Sequence, residues 1–357
     1  MSQPLVVKFG GDALATPERI AAAARRLAVG RGDQPVVAVA SARRGVTDHL
    51  LGLVEQVREA VGVGGERSAA AGVASDRAVA SGELVAAALL ALALADLGVP
   101  AVVLDAREAG LGSDGQAGGA TLSRVRPARL VGLLARGVVP VVTGFQGWHR
   151  GRITTLGRGG SDITAVALAA ALGAEACELV KEPGALHTAD PKLVPEARPI
   201  PRASHRFVTE IALAGARVLH HSAAGHAEQS GVPLRFTSLQ ADGEPSSIIE
   251  TEAGEDAGAV IYGGGYHGIG PAAGEHEAVA TVSVVSGSAD AAALRAAARA
   301  AAARTGGRLL RTADRPHALA FLVPAQDGRG LVRALHSALS LDLRPGESRQ
   351  RAQVGSG

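Results

Sequence analysis

Two short segments carry the residue types that handle phosphate and carboxylate groups. The first is Lys8-Phe9-Gly10-Gly11, where a strand-like run ends in a lysine and two glycines. An ammonium supplies a point charge, and glycine lets backbone N–H groups approach anionic oxygens closely. A Gly-Gly turn after a strand is also an ordinary strand-to-helix connection, so this segment alone does not define a site. The second segment, Thr154-Thr155-Leu156-Gly157-Arg158-Gly159-Gly160-Ser161-Asp162, leads into the apolar run Ile163–Leu172. Ser161-Asp162 is expected to cap that helix, whose first turn presents unsatisfied N–H groups to an anion. Capping accounts for Ser161 and Asp162 but not for the glycines around Arg158, whose planar fork suits a carboxylate or phosphate. No G-x-x-x-x-G-K-[ST] stretch occurs in the chain, which excludes a P-loop.

Further segments join these two. Ser41-Ala42-Arg43-Arg44-Gly45-Val46-Thr47-Asp48 opens a helix after the second strand-like run. Ser81-Gly82-Glu83 interrupts an apolar helical stretch, where a Gly costs helix propensity and a buried Glu costs desolvation. A solvent-facing position would explain Glu83 equally well. Val141-Val142-Thr143-Gly144-Phe145-Gln146-Gly147 closes a fourth strand in a glycine-rich turn.

The elements that position these residues follow from pattern. Strands are expected at Pro4–Lys8, Pro35–Ala40, Ala101–Asp105, Val138–Thr143 and Glu178–Lys181. Helices are expected at Thr16–Val29, Thr47–Ala60, Arg77–Leu97, Arg126–Arg136, Asp162–Leu172, His205–Ala214 and Ser222–Ser230. Strands alternating with helices argue for an α/β fold with a mainly parallel central sheet covered on both faces. Lys8, Ser41 and Thr143 then fall at the carboxyl ends of strands, where open α/β sheets bind ligands. Residues 240–278, rich in Gly, Glu, Asp and Pro, read as a linker or irregular region. Beyond it a βαββα order over 279–341 reads as a small ferredoxin-like α+β module, and 342–357 as a flexible tail.

Composition narrows the function classes. The chain has 357 residues, 47% of them hydrophobic, enough for two or three domains at roughly 150 residues each. Only 2% are aromatic, which disfavours a stacking platform for single-stranded nucleic acid. Thirty-six basic against 34 acidic residues leave a formal charge of +2, with no basic run. One cysteine excludes a disulfide framework and fits a reducing compartment. Cys177 reads as a small buried residue, His220-His221 lacks a second ligand pair for zinc, and Arg295, Arg299 and Arg304 read as a solvated face. The apolar stretch Leu84 to Ala95 is too short to span a bilayer, and no signal peptide is evident, so a cytoplasmic protein is expected.

KFGG at 8–11, SARRGVTD at 41–48, SGE at 81–83, VVTGFQG at 141–147, TTLGRGGSD at 154–162, TADPKLVPEAR at 188–198 and GARVLH at 215–220 occur in that order. Over roughly residues 4–240 the chain thereby resembles aspartate kinases. The resemblance implies the amino-acid-kinase three-layer sandwich over 1–240. It also implies phosphoryl transfer from ATP, with Mg2+, to the side-chain carboxylate of L-aspartate. Lys8, Asp162 and the Gly10 and Gly11 amides would serve the transferred phosphoryl group. Ser41, Thr47, Glu83 and Arg158 would bind the substrate. Ser161, Lys181, Glu182, His187, Lys192 and Arg217 would lie on the nucleotide side. The module at 279–341 resembles an ACT unit, with 241–278 a linker or remnant of a second, and pairing of such modules implies a homodimer. No resident metal, nucleic-acid partner or membrane partner is implied.

Four departures from the family pattern bear on function. Asp12-Ala13 follows KFGG where the family has Thr or Ser, placing a carboxylate beside a phosphate loop. Arg43-Arg44 replace small or apolar residues, which either favour a more negatively charged acceptor or point to solvent. Glu182-Pro183-Gly184-Ala185 replaces the usual Asp-Val-Asp-Gly-type nucleotide loop, and His187 takes the place of a tyrosine, so an altered adenosine pocket is expected. A single ACT-like unit implies an enzyme that lysine and threonine inhibit weakly or not at all. The alternatives are a kinase of the same fold acting on another carboxylate, and a non-catalytic regulatory paralogue.

Overall fold

The computed structural model describes residues 2–341 except 31, 33, 63, 64, 66, 67, 183, 217, 241–245, 252–257, 268–277, 287–290, 305–308, 316 and 340. The chain divides into two compact units, Met1–Gly184 with Gly225–Ile248, and Ala185–Ala224 with Ile249–Gly357.

The first unit contains β1 (Leu5–Phe9), α1 (Pro17–Gly30), β2 (Val36–Ala40), α2 (Val46–Val61), α3 (Ala69–Asp96), β3 (Ala101–Leu104), β4 (Leu111–Ser113), β5 (Leu122–Val125), α4 (Ala128–Leu134), β6 (Val139–Thr143), β7 (Gln146–His149), β8 (Arg152–Thr155), α5 (Gly160–Leu172) and β9 (Ala176–Val180). Six neighbouring strands run parallel in the order Leu234–Thr237, β9, β1, β2, β6, β3. The central strands β2, β6 and β9 are buried throughout, as a sheet covered on both faces requires. Side chains alternate across the sheet. Val7, Phe9, Ala38, Ala40, Val139 and Val141 join one core with Ile20 and Leu27 of α1 and Ala86, Leu90 and Leu94 of α3. Lys8 therefore faces the other way, toward α5. The α/β class with a mainly parallel sheet holds.

A second sheet, in the order β5-β4-β7-β8, was not foreseen in the sequence. Its strands are only three or four residues long, too short for alternation to register. The long helix α3 also starts earlier than expected, at Ala69 rather than Arg77, because the Ser68 side chain accepts from the Ala71 N–H. By length and composition α3 could cross a bilayer. Here Asp76, Glu83, Leu90 and Leu94 are buried in protein, which makes it a core helix.

The second unit holds a four-stranded antiparallel sheet in the order Ala259–His267, Ala278–Val285, Ala318–Pro324, Arg311–Arg315, with helices Ala291–Arg304 and Ala325–Ala338. The βαββα order is present, with an added edge strand at Ala259–His267. Ser247–Glu250 and Ala259–His267 both lie in the stretch read from sequence as irregular. Short apolar runs such as Val260-Ile261-Tyr262 were outweighed there by the surrounding glycines and acids. Ala189 and Val194 pack into this unit's core with Val282, Phe321, Leu331 and Leu335. Thr188 Oγ1 meets His336 Nε2 at 2.9 Å, and Arg198 Nε and Arg333 Nε each reach a backbone carbonyl at 2.9 Å.

Candidate active site

A cleft of about 440 Å³ opens in the first unit at the carboxyl ends of β1 and β2. Lys8, Ser41, Thr47, Glu83, Arg158, Ser161 and Asp162 all line it, so seven residues singled out from distant segments converge. Lys8 Nζ lies 2.7 Å from Asp162 Oδ1, with both side chains buried. Lys181, just past the end of β9, places its Nζ 3.9 Å from Asp162 Oδ2. One carboxylate thus holds two ammonium groups. Burial, opposed by the Asp162 charge and reinforced by that of Lys8, leaves the Lys181 ammonium lowered to about 8.

The loop that carries Ser41 and Ala42 is squeezed between two glycines. A Cβ on Gly11 would meet Ala42 O at 2.7 Å, and one on Gly82 would meet Ala42 Cβ at 3.0 Å. This close approach explains a glycine beside Glu83 and lets Glu83 Oε1 accept from the Ala42 N–H at 3.1 Å. Burial raises the Glu83 carboxyl from its ordinary 4.5 to about 7, while the Ala42 N–H and the Lys8 charge pull it back. Glu83 is buried, which settles its orientation against a solvent-facing role.

Asp76, two turns before Glu83 on α3, also lines the cleft and was missed in the sequence. Its spacing from Glu83, seven residues on one helix face, was an available signal. Asp76 Oδ1 accepts from Thr155 Oγ1 at 2.7 Å and from the Gly118 N–H at 2.9 Å. Asp76 Oδ2 and Glu83 Oε2 are buried with no hydrogen-bond partner among the described residues. Such groups are costly unless a ligand completes them. Phe145, held at φ 66°, lines the cleft as well. The adjacent Gln146 ties that turn to α3 by donating to Ala80 O at 3.0 Å.

Several expectations need correction. Ser161 and Asp162 do not cap α5: Gly159 is the cap, at φ 73°, with no side-chain bond. Both residues line the cleft instead. The Gly10 N–H donates to Val180 O at 3.1 Å, extending the sheet, so it is not offered to phosphate. Neither Gly10 nor Gly11 lines the cleft. Arg43 donates twice to Ala15 O, at 3.1 and 2.6 Å, and Arg44 pairs with Asp12. Both arginines thus hold the 10–15 loop, outside the cleft lining, and Asp12 is neutralised there. Glu182 accepts from Arg19 at 3.2 Å and from the Leu239 N–H at 3.3 Å. His187 and Lys192 belong to the second unit, where burial lowers the His187 imidazole and Lys192 is exposed. Arg217 lies outside the described residues. Cys177 is buried and its thiol is raised, as expected of an inert position.

Fold and cleft together define an α/β protein built to hold anionic oxygens beside a cationic group. The amino acid kinase family domain matches residues 3–238, and the chain belongs to that family. It is 38% identical over 242 residues to the aspartokinase of Thermus thermophilus, covering 66% of this chain and 56% of that protein. It is 36% identical over 248 residues to the aspartokinase of Corynebacterium glutamicum, covering 69% and 56%. The chain thus spans a little over half the length of the curated relatives it matches. In fold it is similar to E. coli aspartokinase III in complex with aspartate and ADP, with a TM-score of 0.77 at 20% identity over 95% of this chain and 100% of that one. The aspartate kinase from Synechocystis aligns with a TM-score of 0.61 at 26% identity, covering 96% and 70%.

Proposed function

We propose that this chain is an aspartate kinase: it transfers the γ-phosphoryl group of ATP to the side-chain carboxylate of L-aspartate, giving 4-phospho-L-aspartate and ADP. The observation that carries the reading is the composition of the cleft. Lys8 and Arg158 line it as cations, while Asp76 and Glu83 each keep one buried oxygen unpaired. An amino acid with a second carboxylate meets both demands.

The chemistry needs no strong base, because the attacking carboxylate is already ionised at neutral pH. Its oxygen attacks the γ-phosphorus in line as the bond to the ADP oxygen breaks. Glu83 receives the α-ammonium, and Arg158 takes the α-carboxylate in a forked pair. Lys8 neutralises charge on the transferred group, and Asp162 fixes Lys8 and Lys181 in place. Lys181 and Ser161 serve the nucleotide side. ATP enters as its magnesium complex; no group of three or more acidic, His or Cys residues among the described residues forms a protein cage for a metal.

We keep residues 1–240 as the catalytic segment and 279–341 as an ACT-like module, in a soluble cytoplasmic homodimer with no nucleic-acid or membrane partner. With one such module, activity is predicted to be unchanged by sub-millimolar lysine or threonine; half-inhibition in that range contradicts this part of the reading. Trapping the acyl phosphate with hydroxylamine, with L-aspartate and ATP supplied, tests the activity itself.

A further inference from the structure

A second hollow, of about 620 Å³, lies on the small sheet of the first unit. Arg107, Arg124, Arg126 and Arg150 line it with Trp148 and His149, and no aspartate or glutamate does. Its architecture follows from strand register. Arg124 of β5 stands opposite Gly112 of β4, and Gly112 stands opposite Trp148 of β7. Adjacent strands are about 4.8 Å apart, so the two walls rise about 10 Å from each other. Gly112 leaves the floor between them open, and a Cβ there would lie 3.1 Å from Arg124 Cγ. Arg126, two residues past Arg124, points to the same side. The Arg107 guanidinium sits 5.4 Å from the Trp148 ring centroid, within cation–π range.

These four guanidiniums make no hydrogen bond or ion pair with any other described residue, whereas Arg26, Arg129, Arg235 and Arg299 each have a carboxylate. The acids nearby are engaged elsewhere. Glu108, in the adjoining hollow that Arg107 shares with Asp105, takes Arg129 at 2.9 Å. Asp114 accepts from the Gln116 and Thr121 N–H groups. Four like charges gathered in a concavity, on a chain of net charge only +2, form a local field that an anion relieves. Arginine rather than lysine at all four places favours planar, two-oxygen partners. The volume is that of a small-molecule pocket.

We infer that this arginine-walled hollow is a binding site, separate from the acceptor cleft, for a small polyanion bearing two or more phosphate or carboxylate groups. The inference does not rest on the kinase reading. Trp148 is the only tryptophan in the chain, so intrinsic tryptophan emission reports this hollow alone. The test titrates the full chain with pyrophosphate and with citrate, each at ionic strength held constant with KCl. A saturable change in emission is expected for at least one of them, with half-saturation below about 1 mM. Which of the two binds decides between phosphate and carboxylate recognition. The double substitution Arg124→Ala and Arg126→Ala should weaken binding at least about tenfold, a loss of about 1.4 kcal/mol. Removing the same charge elsewhere, with Arg25→Ala and Arg136→Ala, should leave it unchanged. No saturable change with either anion overturns the assignment, as does equal weakening by the two double variants.

Discussion

The two walls of the acceptor cleft are built on opposite principles. On the wall formed by β1 and the start of α5, the cations have a carboxylate partner: Asp162 holds Lys8 at 2.7 Å, and Lys181 lies 3.9 Å from the same carboxylate. On the α3 wall, Asp76 and Glu83 are each satisfied through one oxygen only. The difference teaches how a site can be preorganised for a reaction and yet wait for its substrate. In the proposed reaction the cations that would face the phosphoryl group are locked before ATP arrives, so little reorganisation would be needed during transfer. The α3 carboxylates are left incomplete, and in the proposed reaction the cation that completes them is the ammonium of the acceptor. Charge on the first wall should govern kcat, and charge on the second should govern KM for the amino acid.

The largest effect tests the matched wall. Lys8→Ala should lower kcat by about 10³-fold, the scale for losing one preorganised donor. A KM effect with unchanged kcat would move Lys8 out of the transferring machinery. On the α3 wall, Glu83→Gln should raise KM for aspartate about 10- to 100-fold, the cost of a charge-assisted bond, with a smaller change in kcat. Asp76→Asn should raise the same KM about tenfold, since Asn keeps the bonds to Thr155 and Gly118 but not the charge. If both variants instead depress kcat alone, the two walls do not divide the work as described.

The pH profile sharpens the contrast. Glu83 is protonated below its raised value of about 7 and cannot then pair with an ammonium. Lys181 loses its proton above about 8 and with it the charge proposed to meet the nucleotide phosphates. The plot of kcat/KM for aspartate should therefore fall below about 7, and kcat/KM for ATP should fall above about 8. In Glu83→Gln the acid limb near 7 should vanish while the alkaline limb stays. The smallest effect is expected outside both walls. Arg43→Ala and Arg44→Ala should change the KM for aspartate less than about twofold, because their guanidiniums hold the loop at Asp12 and Ala15. A larger shift would return them to substrate selection.

The two walls also differ in how far they can be read from the chain. The matched wall is written in contiguous, glycine-marked segments, Lys8 to Gly11 and Thr154 to Asp162, whose residue types announce anion binding. Even so, the roles within them shifted: the Gly10 amide extends the sheet, and Gly159 rather than Ser161 or Asp162 caps the helix. Local sequence names an anion-handling turn but not which of its amides the sheet will claim. The α3 wall was half legible. Glu83 stood out in an apolar helix, whereas Asp76 fell in a stretch with no hydrophobic rhythm, before the expected helix start. Its partners Gly118 and Thr155 come from a distant turn and from β8, which only tertiary folding brings together. The sheet β5-β4-β7-β8 was illegible for the same reason. Strands of three or four residues are fixed by neighbours, not by their own alternation.

The most direct test of the central claim is ATP-dependent hydroxamate formation by the purified full chain across a panel of amino acids and dicarboxylic acids, run beside Lys8→Ala. Turnover with L-aspartate, requiring ATP and nearly abolished in the variant, is the predicted result. Turnover with a different acid only, or none with any acid by folded protein, would contradict it.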